Sequence, residues 1–195
     1  MYAIHTTPGF IIESRPSGEA GKLLAIFTRD LGLVWAIAQG IRLEKSKLRY
    51  HSQDYSFGEF SFVRGKEFWR LTNVSQNDFD FKIWKSELIS RIALLLRRLL
   101  HGEESHPELF EHVESSLLFV NNTIELDIFS AEQIQTLESV IVFRILHLLG
   151  YVGIDKTLDS RIISEPFSIK LLDEITGNRM NMNKHINKAL RESHL

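Results

Sequence analysis

The residues with the clearest chemical potential form one short basic run, Arg42, Lys45, Lys47 and Arg49, offset only by Glu44. Lys45, Lys47 and Arg49 alternate, so an extended backbone would present all three charges on one side. Clustered Lys and Arg neutralise phosphates and release their counterions, which is the chemistry of binding rather than of bond making. The competing reading of the same residues is a solvated loop. Six further cations, Arg15, Lys22, Arg29, Arg64, Lys66 and Arg70, fall at loop and hairpin positions of the same region. Tyr50, Tyr55, Phe57 and Trp69 are interleaved with them and could stack bases, although more than half of these rings are expected in the core.

Bond-making patterns are missing. The sequence has no nucleophile elbow, P-loop, dinucleotide fingerprint or H-E-x-x-H. His101, His106 and His112 lie near Glu103, Glu104 and Glu108, but their offsets do not share a helix face, and solvated histidines are expected there. The neighbouring carboxylates Glu103-Glu104 and Asp173-Glu174 point in different directions on a helix. With no cysteine at all, disulfides, thiol nucleophiles and Cys-based zinc sites are excluded. The chain is therefore read as a non-enzyme, with no cofactor and no metal.

Two kinds of element must position the cations. Residues 2–14 read as a strand broken at Thr7-Pro8-Gly9, and the Pro- and Gly-punctuated stretch 15–21 reads as a loop. Strands follow at 23–28 and 33–38, separated by the turn Arg29-Asp30-Leu31-Gly32. Residues 55–62 alternate aromatic with small or polar side chains, the mark of a half-buried strand. Arg64-Gly65-Lys66 is a hairpin tip, and 68–74 pairs back. Five short strands in about 75 residues predict a small barrel of the OB type, a pattern that an SH3-like barrel would share. From Asp78 the period becomes helical, with Trp84, Leu88, Ile92, Leu95 and Leu99 on one face. Pro107 opens a second helix, carrying Leu109, Val113, Leu117 and Val120. Ser130 with Gln133 forms a capping box for a third, which is apolar nearly all round to Leu149 and stops at Gly150. Residues 151–183 show no sustained period, and 186–193 read as a short terminal helix. The expected class is α+β, with an OB-fold domain over residues 1–77 and an α-helical domain over 78–195.

Charge follows the same division. Residues 1–75 hold 10 Lys/Arg against 7 Asp/Glu, whereas 76–195 hold 13 against 18. The first part thus carries the surplus suited to a polyanion. No apolar run reaches the roughly 18–20 residues that cross a bilayer, and the first ten residues lack a signal-peptide pattern, so a cytoplasmic location without membrane contact is expected.

Several motifs carry a resemblance to a known family. Arg15-Pro16-Ser17-Gly18-Glu19-Ala20-Gly21-Lys22-Leu23-Leu24 is similar to an S-x-x-x-G-E-x-x-x-L-L segment, and Phe27-Thr28-Arg29-Asp30-Leu31-Gly32 to FT-x-x-x-G. Ala38-Gln39-Gly40-Ile41-Arg42 with Lys45-Ser46-Lys47-Leu48-Arg49 resembles A-x-G-x-R…KS-x-L-x, and Leu148-Leu149-Gly150-Tyr151 resembles the LLGY end of a central helix. In this order they resemble the bacterial recombination mediator family RecO. The resemblance implies an N-terminal OB fold, a C-terminal helical domain and a non-enzymatic role in recombinational repair. It implies binding of single- and double-stranded DNA, annealing of complementary strands, and work with RecR to load RecA on strands coated with single-stranded DNA-binding protein (SSB). By position, Arg42, Lys45, Lys47 and Arg49 would contact DNA, and the helical domain would receive the acidic, Phe-ended SSB tail. A nucleoid-associated cytoplasmic protein is the implied setting. One departure is plain. Many members carry a four-cysteine zinc module after the LLGY helix, and 152–183 contain no cysteine. The rival reading is a protein-interaction adaptor of the repair machinery with little DNA binding, and a metal-dependent nuclease is a more distant one.

Overall fold

Short runs rich in β-branched and aromatic residues, cut by turn residues, favour strands over helices in the first part of the chain. A computed structural model describes residues 3–46, 48–76, 83–123 and 129–193. Its strands are β1 (Ile4–Ser17), β2 (Gly21–Thr28), β3 (Gly32–Ala38), β4 (Phe57–Val63) and β5 (Trp69–Gln76). They close into a barrel in the order β1-β2-β3-β5-β4. β1 serves both sides, pairing antiparallel with β4 through residues 4–10 and with β2 through 9–17. β3 meets β5 in parallel at Ala36–Trp69 and Ile37–Arg70, which completes the closure. This is the five-stranded OB fold.

β1 runs through the expected break at Thr7-Pro8-Gly9. Pro8 has no N–H to contribute, and its carbonyl accepts the Arg29 N–H at 3.0 Å. Gly9 marks a close approach, since a Cβ there would lie 2.9 Å from both Ile26 and Phe60. Beyond it the register passes from Ile11–Ile26 to Glu13–Ala25, leaving Ile12 as a bulge that bends the strand around the barrel. The expected loop 15–21 shrinks accordingly, with β1 extending to Ser17.

Inside the barrel, Ile11, Leu24, Ile26, Val34, Phe60, Phe62, Trp69 and Leu71 form the core. The outward residues Phe10, Phe27 and Phe57 are buried as well, because strands that are apolar on both faces need cover on both. Phe57 stacks on Phe10 at 4.9 Å, and Phe110 meets Phe27 and Phe57 at 5.5 and 5.7 Å. Helix α2 (Ile83–Leu99) packs on β1 and buries Leu88, Ile92 and Leu99.

The chain divides into two compact units, Met1–Phe110 and Glu111–Leu195. The boundary expected at 77/78 lies outside the described residues. A one-turn helix α1 (Leu48–His51) precedes β4, and α3 (Pro107–Thr123) begins at its proline as expected.

In the second unit, α4 (Ala131–Leu148) is central, packed by α5 (Arg161–Ser164), α6 (Ile169–Ile175), a 3-10 turn (Thr176–Asn178) and α7 (Arg179–Glu192). Its capping box is formed: Ser130 Oγ accepts the Gln133 N–H, and the Gln133 side chain accepts the Ser130 N–H. Gly150, at φ +78°, ends it in a Schellman turn. The Tyr151 N–H donates to Leu146 O at 2.8 Å and the Gly150 N–H to His147 O at 2.9 Å.

The stretch 151–183 is more ordered than its pattern predicts, and the terminal helix starts at Arg179 rather than 186. Helices of 4 and 7 residues are too short to display a period. Gly177 sits in the 3-10 turn that joins α6 to α7. Among the described residues, no helix is long and apolar enough to cross a membrane.

Candidate nucleic-acid interface

The basic run begins where β3 ends. Gly40, at φ +65°, turns the chain, and Ile41 enters the barrel core. The Arg42 N–H then donates to Ala20 O at 2.9 Å, tying the run to the β1–β2 turn. Successive tight turns follow, with Leu43, Ser46 and Arg49 N–H groups donating to the carbonyls of Gly40, Leu43 and Ser46. Leu48 packs against the core from the other end. Anchored at Ile41 and Leu48, the segment cannot extend. Lys45 and Arg49 accordingly sit in a turn and in the single helical turn α1 rather than on an extended backbone. Lys47 itself lies outside the described residues.

This folding brings together cations that the sequence separates. Lys22 on β2, Arg42 after β3 and Arg49 on α1 line one cleft of about 470 Å³ with Ile41, Ser52, Gln53 and Asp54. Lys22 Nζ donates to Ser14 Oγ at 3.3 Å. Arg42 and Arg49 are exposed and make no ion pair with other described residues. Ser52 is 1% exposed, and its Oγ has no hydrogen-bond partner among the described residues. Asp54 subtracts one charge, leaving the cleft net basic.

A second cleft of about 600 Å³ lies between the end of β3 and the β4–β5 hairpin, gathering Arg64, Lys66 and Arg70 beside Glu67, Phe68, Ile37 and Gln39. Arg64 is held in place: its Nη1 lies 2.6 and 2.5 Å from the two Glu103 oxygens, and its guanidinium sits 4.8 Å from the Trp69 ring centre. Trp69 Nε1 donates to the same carboxylate at 3.0 Å. Lys66 and Arg70 are exposed and unpaired among the described residues.

Arg15, Arg29 and Lys45 line neither cleft. Arg15 pairs with Glu13 at 2.5 Å and lies 5.6 Å over Trp35. Arg97 reaches the same carboxylate at 3.3 Å and the same ring at 4.9 Å. The Arg15 hydrogen bond, aided by Arg97, holds the Glu13 carboxyl below its ordinary range. Arg29 sits in the β2–β3 turn, where its carbonyl accepts from Ser105 Oγ at 2.9 Å. Lys45 is exposed in the turn after β3.

Of the aromatics proposed for stacking, Phe57 and Trp69 are buried at 1% and 5%. Tyr55 is half-buried at φ +68°, and burial raises its hydroxyl above the ordinary range. The Tyr50 side chain lies outside the described residues. Arg97 and Phe68 were missed by sequence reasoning. Arg97 gives no local signal, being 84 residues from Glu13, whereas Phe68 beside a Gly-containing basic tip was a legible cue.

His112 corrects the expectation of solvated histidines. Its ring stacks on Phe167 at 5.7 Å, on a cluster completed by Phe119 and by Arg144, whose guanidinium lies 4.4 Å from the Phe167 ring centre. Burial, helped by the Arg144 charge, lowers the imidazole to about 4. Arg144 donates to the carbonyls of Ile162 and Glu165, and burial lowers it to about 10.

Comparison with known proteins agrees with this barrel. A family model described as "Recombination protein O N terminal" matches residues 1–78. The DNA repair protein RecO of Desulfitobacterium hafniense DCB-2 is 30% identical over 123 residues, covering 61% of this chain and 45% of its own length. That of Oceanobacillus iheyensis is 31% identical over 127 residues (62% and 48%), and that of Clostridium novyi 29% over 153 (76% and 57%). The chain spans about half the length of the curated relatives it matches.

Proposed function

We propose that the chain, whose residues 1–78 match the family model for the RecO N-terminal domain, is a DNA repair and recombination mediator acting by binding alone. Its barrel, residues 1–77, binds single- and double-stranded DNA. The helical part, 78–195, receives protein partners: RecR, the acidic tail of SSB and, indirectly, RecA. The observation that carries this reading is the convergence of Lys22, Arg42 and Arg49, from three separate stretches of the chain, on one cleft. Phosphates bound there release counterions without any bond being broken. Annealing needs no more than two strands whose repulsion is neutralised and whose bases stay free, so a basic surface suffices for it.

A salt titration tests the DNA-binding step. The protein and a Lys22→Ala/Arg42→Ala/Arg49→Ala variant are titrated onto a fluorescent single strand between low and physiological salt. Three lost phosphate contacts reduce the slope of log affinity against log salt by about 2 for a single strand. All three residues are at least partly exposed, so the variant is expected to keep its circular dichroism spectrum and melting temperature. A folded variant with the parent's affinity and slope would remove the cleft from the interface. No binding by the parent at low salt would leave the adaptor role.

A further inference from the structure

The β4–β5 hairpin holds an aromatic ring that lies outside the barrel's core cluster. Phe10, Phe27, Phe57, Phe60 and Phe62 are at most 1% exposed, yet Phe68 is 36% exposed and lines the second cleft. We propose that this cleft takes an unpaired base of single-stranded nucleic acid, stacked on Phe68, with Lys66 and Arg70 neutralising the flanking phosphates. The inference rests on the DNA-binding reading above and adds to it a means of telling single strands from duplex.

Three features of the cleft support it. The hairpin is tightly closed at its base: a Cβ at Gly65 would lie 2.1 Å from the Phe68 carbonyl oxygen, so only glycine lets the chain fold back and set residue 68 at the rim. One wall carries Arg64, whose guanidinium pairs with the Glu103 carboxylate and lies over the Trp69 ring. The lining is mixed in the way a base requires. Ile37 and Val63 supply apolar surface, Gln39 supplies an amide donor and acceptor, and Lys66 and Arg70 are unpaired among the described residues. Glu67 is the opposing charge at the site. Its volume, about 600 Å³, is within the range of small-molecule sites. A duplex keeps its bases paired and stacked on one another, so it can offer this cleft phosphates but no free base face.

Phe68→Ala and Phe68→Trp, with the parent, are titrated against a fluorescent single strand, the matching duplex and an abasic single strand of equal length. Stacking on one ring changes single-strand affinity by about fivefold to a hundredfold. Phe68→Ala is expected to lose that factor on the single strand, with the salt slope unchanged because no charge is removed. Duplex affinity should change less than twofold. Phe68→Trp should retain single-strand affinity, and the abasic strand should bind parent and Phe68→Ala alike. Parent-like single-strand binding by Phe68→Ala overturns the inference while leaving the DNA-binding reading intact. An equal loss on duplex and single strand also overturns it. Failure of the parent to bind any strand overturns both readings.

Discussion

Glu103 governs how much of the hairpin's charge a ligand meets. Its carboxylate engages Arg64 and accepts from Trp69, so the Arg64 charge is largely compensated. Both partners of the ion pair are about half exposed, and such pairs contribute little to stability. Glu103→Gln keeps an acceptor for the indole while freeing the guanidinium. On a single strand the variant should bind severalfold tighter at low salt, with a salt slope steeper by about 0.7, one added phosphate contact. An unchanged slope in filter binding or fluorescence anisotropy would place Arg64 outside the interface. At this scale, the sequence marks the cations and not their partners. Arg64 and Glu103 are 39 residues apart, and Arg97 and Glu13 are 84 apart. Only the closed barrel and its helix bring such pairs together. That is why Arg15 and Arg64 looked as available as Arg42 and Arg49.

Elements were legible where they obey a short local rule. Strands β2 to β5, the proline start of α3, the capping box of α4 and its glycine stop each depend on residues within a few positions of one another. β1 was misread because Pro8 and Gly9, ordinarily turn residues, here serve a carbonyl-only position and a close packing contact. The basic run shows a different limit. Its alternation suits a strand, but anchors at Ile41 and Leu48 fold it into turns. Helices α5 and α6 take their stability from packing on α4, which no local pattern reports. Gly32 shows how much an element can depend on a distant one. It lies at φ +71° in the β2–β3 turn, and a Cβ there would sit 2.2 Å from the Glu104 carbonyl oxygen. The neighbouring Leu33 N–H donates to Gly102 O at 3.0 Å, and Ser105 Oγ donates to Arg29 O. Gly32→Ala combines a left-handed backbone cost with a clash against main chain that has little room to retreat. Denaturant unfolding should show a loss of about 2–4 kcal/mol. A loss of only about 1 kcal/mol, the left-handed backbone cost alone, would mean that residues 102–105 are not docked on the turn.

The two compact units should also answer differently to acid, because His112, whose charged form is disfavoured by burial, lies in only one of them. His112 takes a proton near 6.5 when unfolded but only at about 4 in the folded chain. As pH falls through that interval the unfolded state binds more protons than the native one, so stability drops, here by about 2 kcal/mol for a half-buried ring. The lowered carboxylates act later. Glu13 in the first unit, and Asp155 and Asp159 in the second, contribute stability above their ordinary values near 4.5 and 3.8 and lose it below them. Between pH 6.5 and 4.5 the weakening therefore falls mainly on Glu111–Leu195. The chain supplies its own reporters for this split. All three tryptophans, Trp35, Trp69 and Trp84, precede Phe110, whereas most helical residues, those of α4 to α7 among them, follow it and only α2 is a long helix before it. In urea titrations at pH 6.5 and 4.5, the midpoint of helical circular dichroism should fall with pH while that of tryptophan emission stays nearly fixed. His112→Phe keeps a ring for stacking on Phe167 and removes the titrating group, so its circular dichroism midpoint should lose most of that pH dependence. If both probes shift together and His112→Phe leaves the shift in place, the acid response belongs to other groups and the units do not unfold separately.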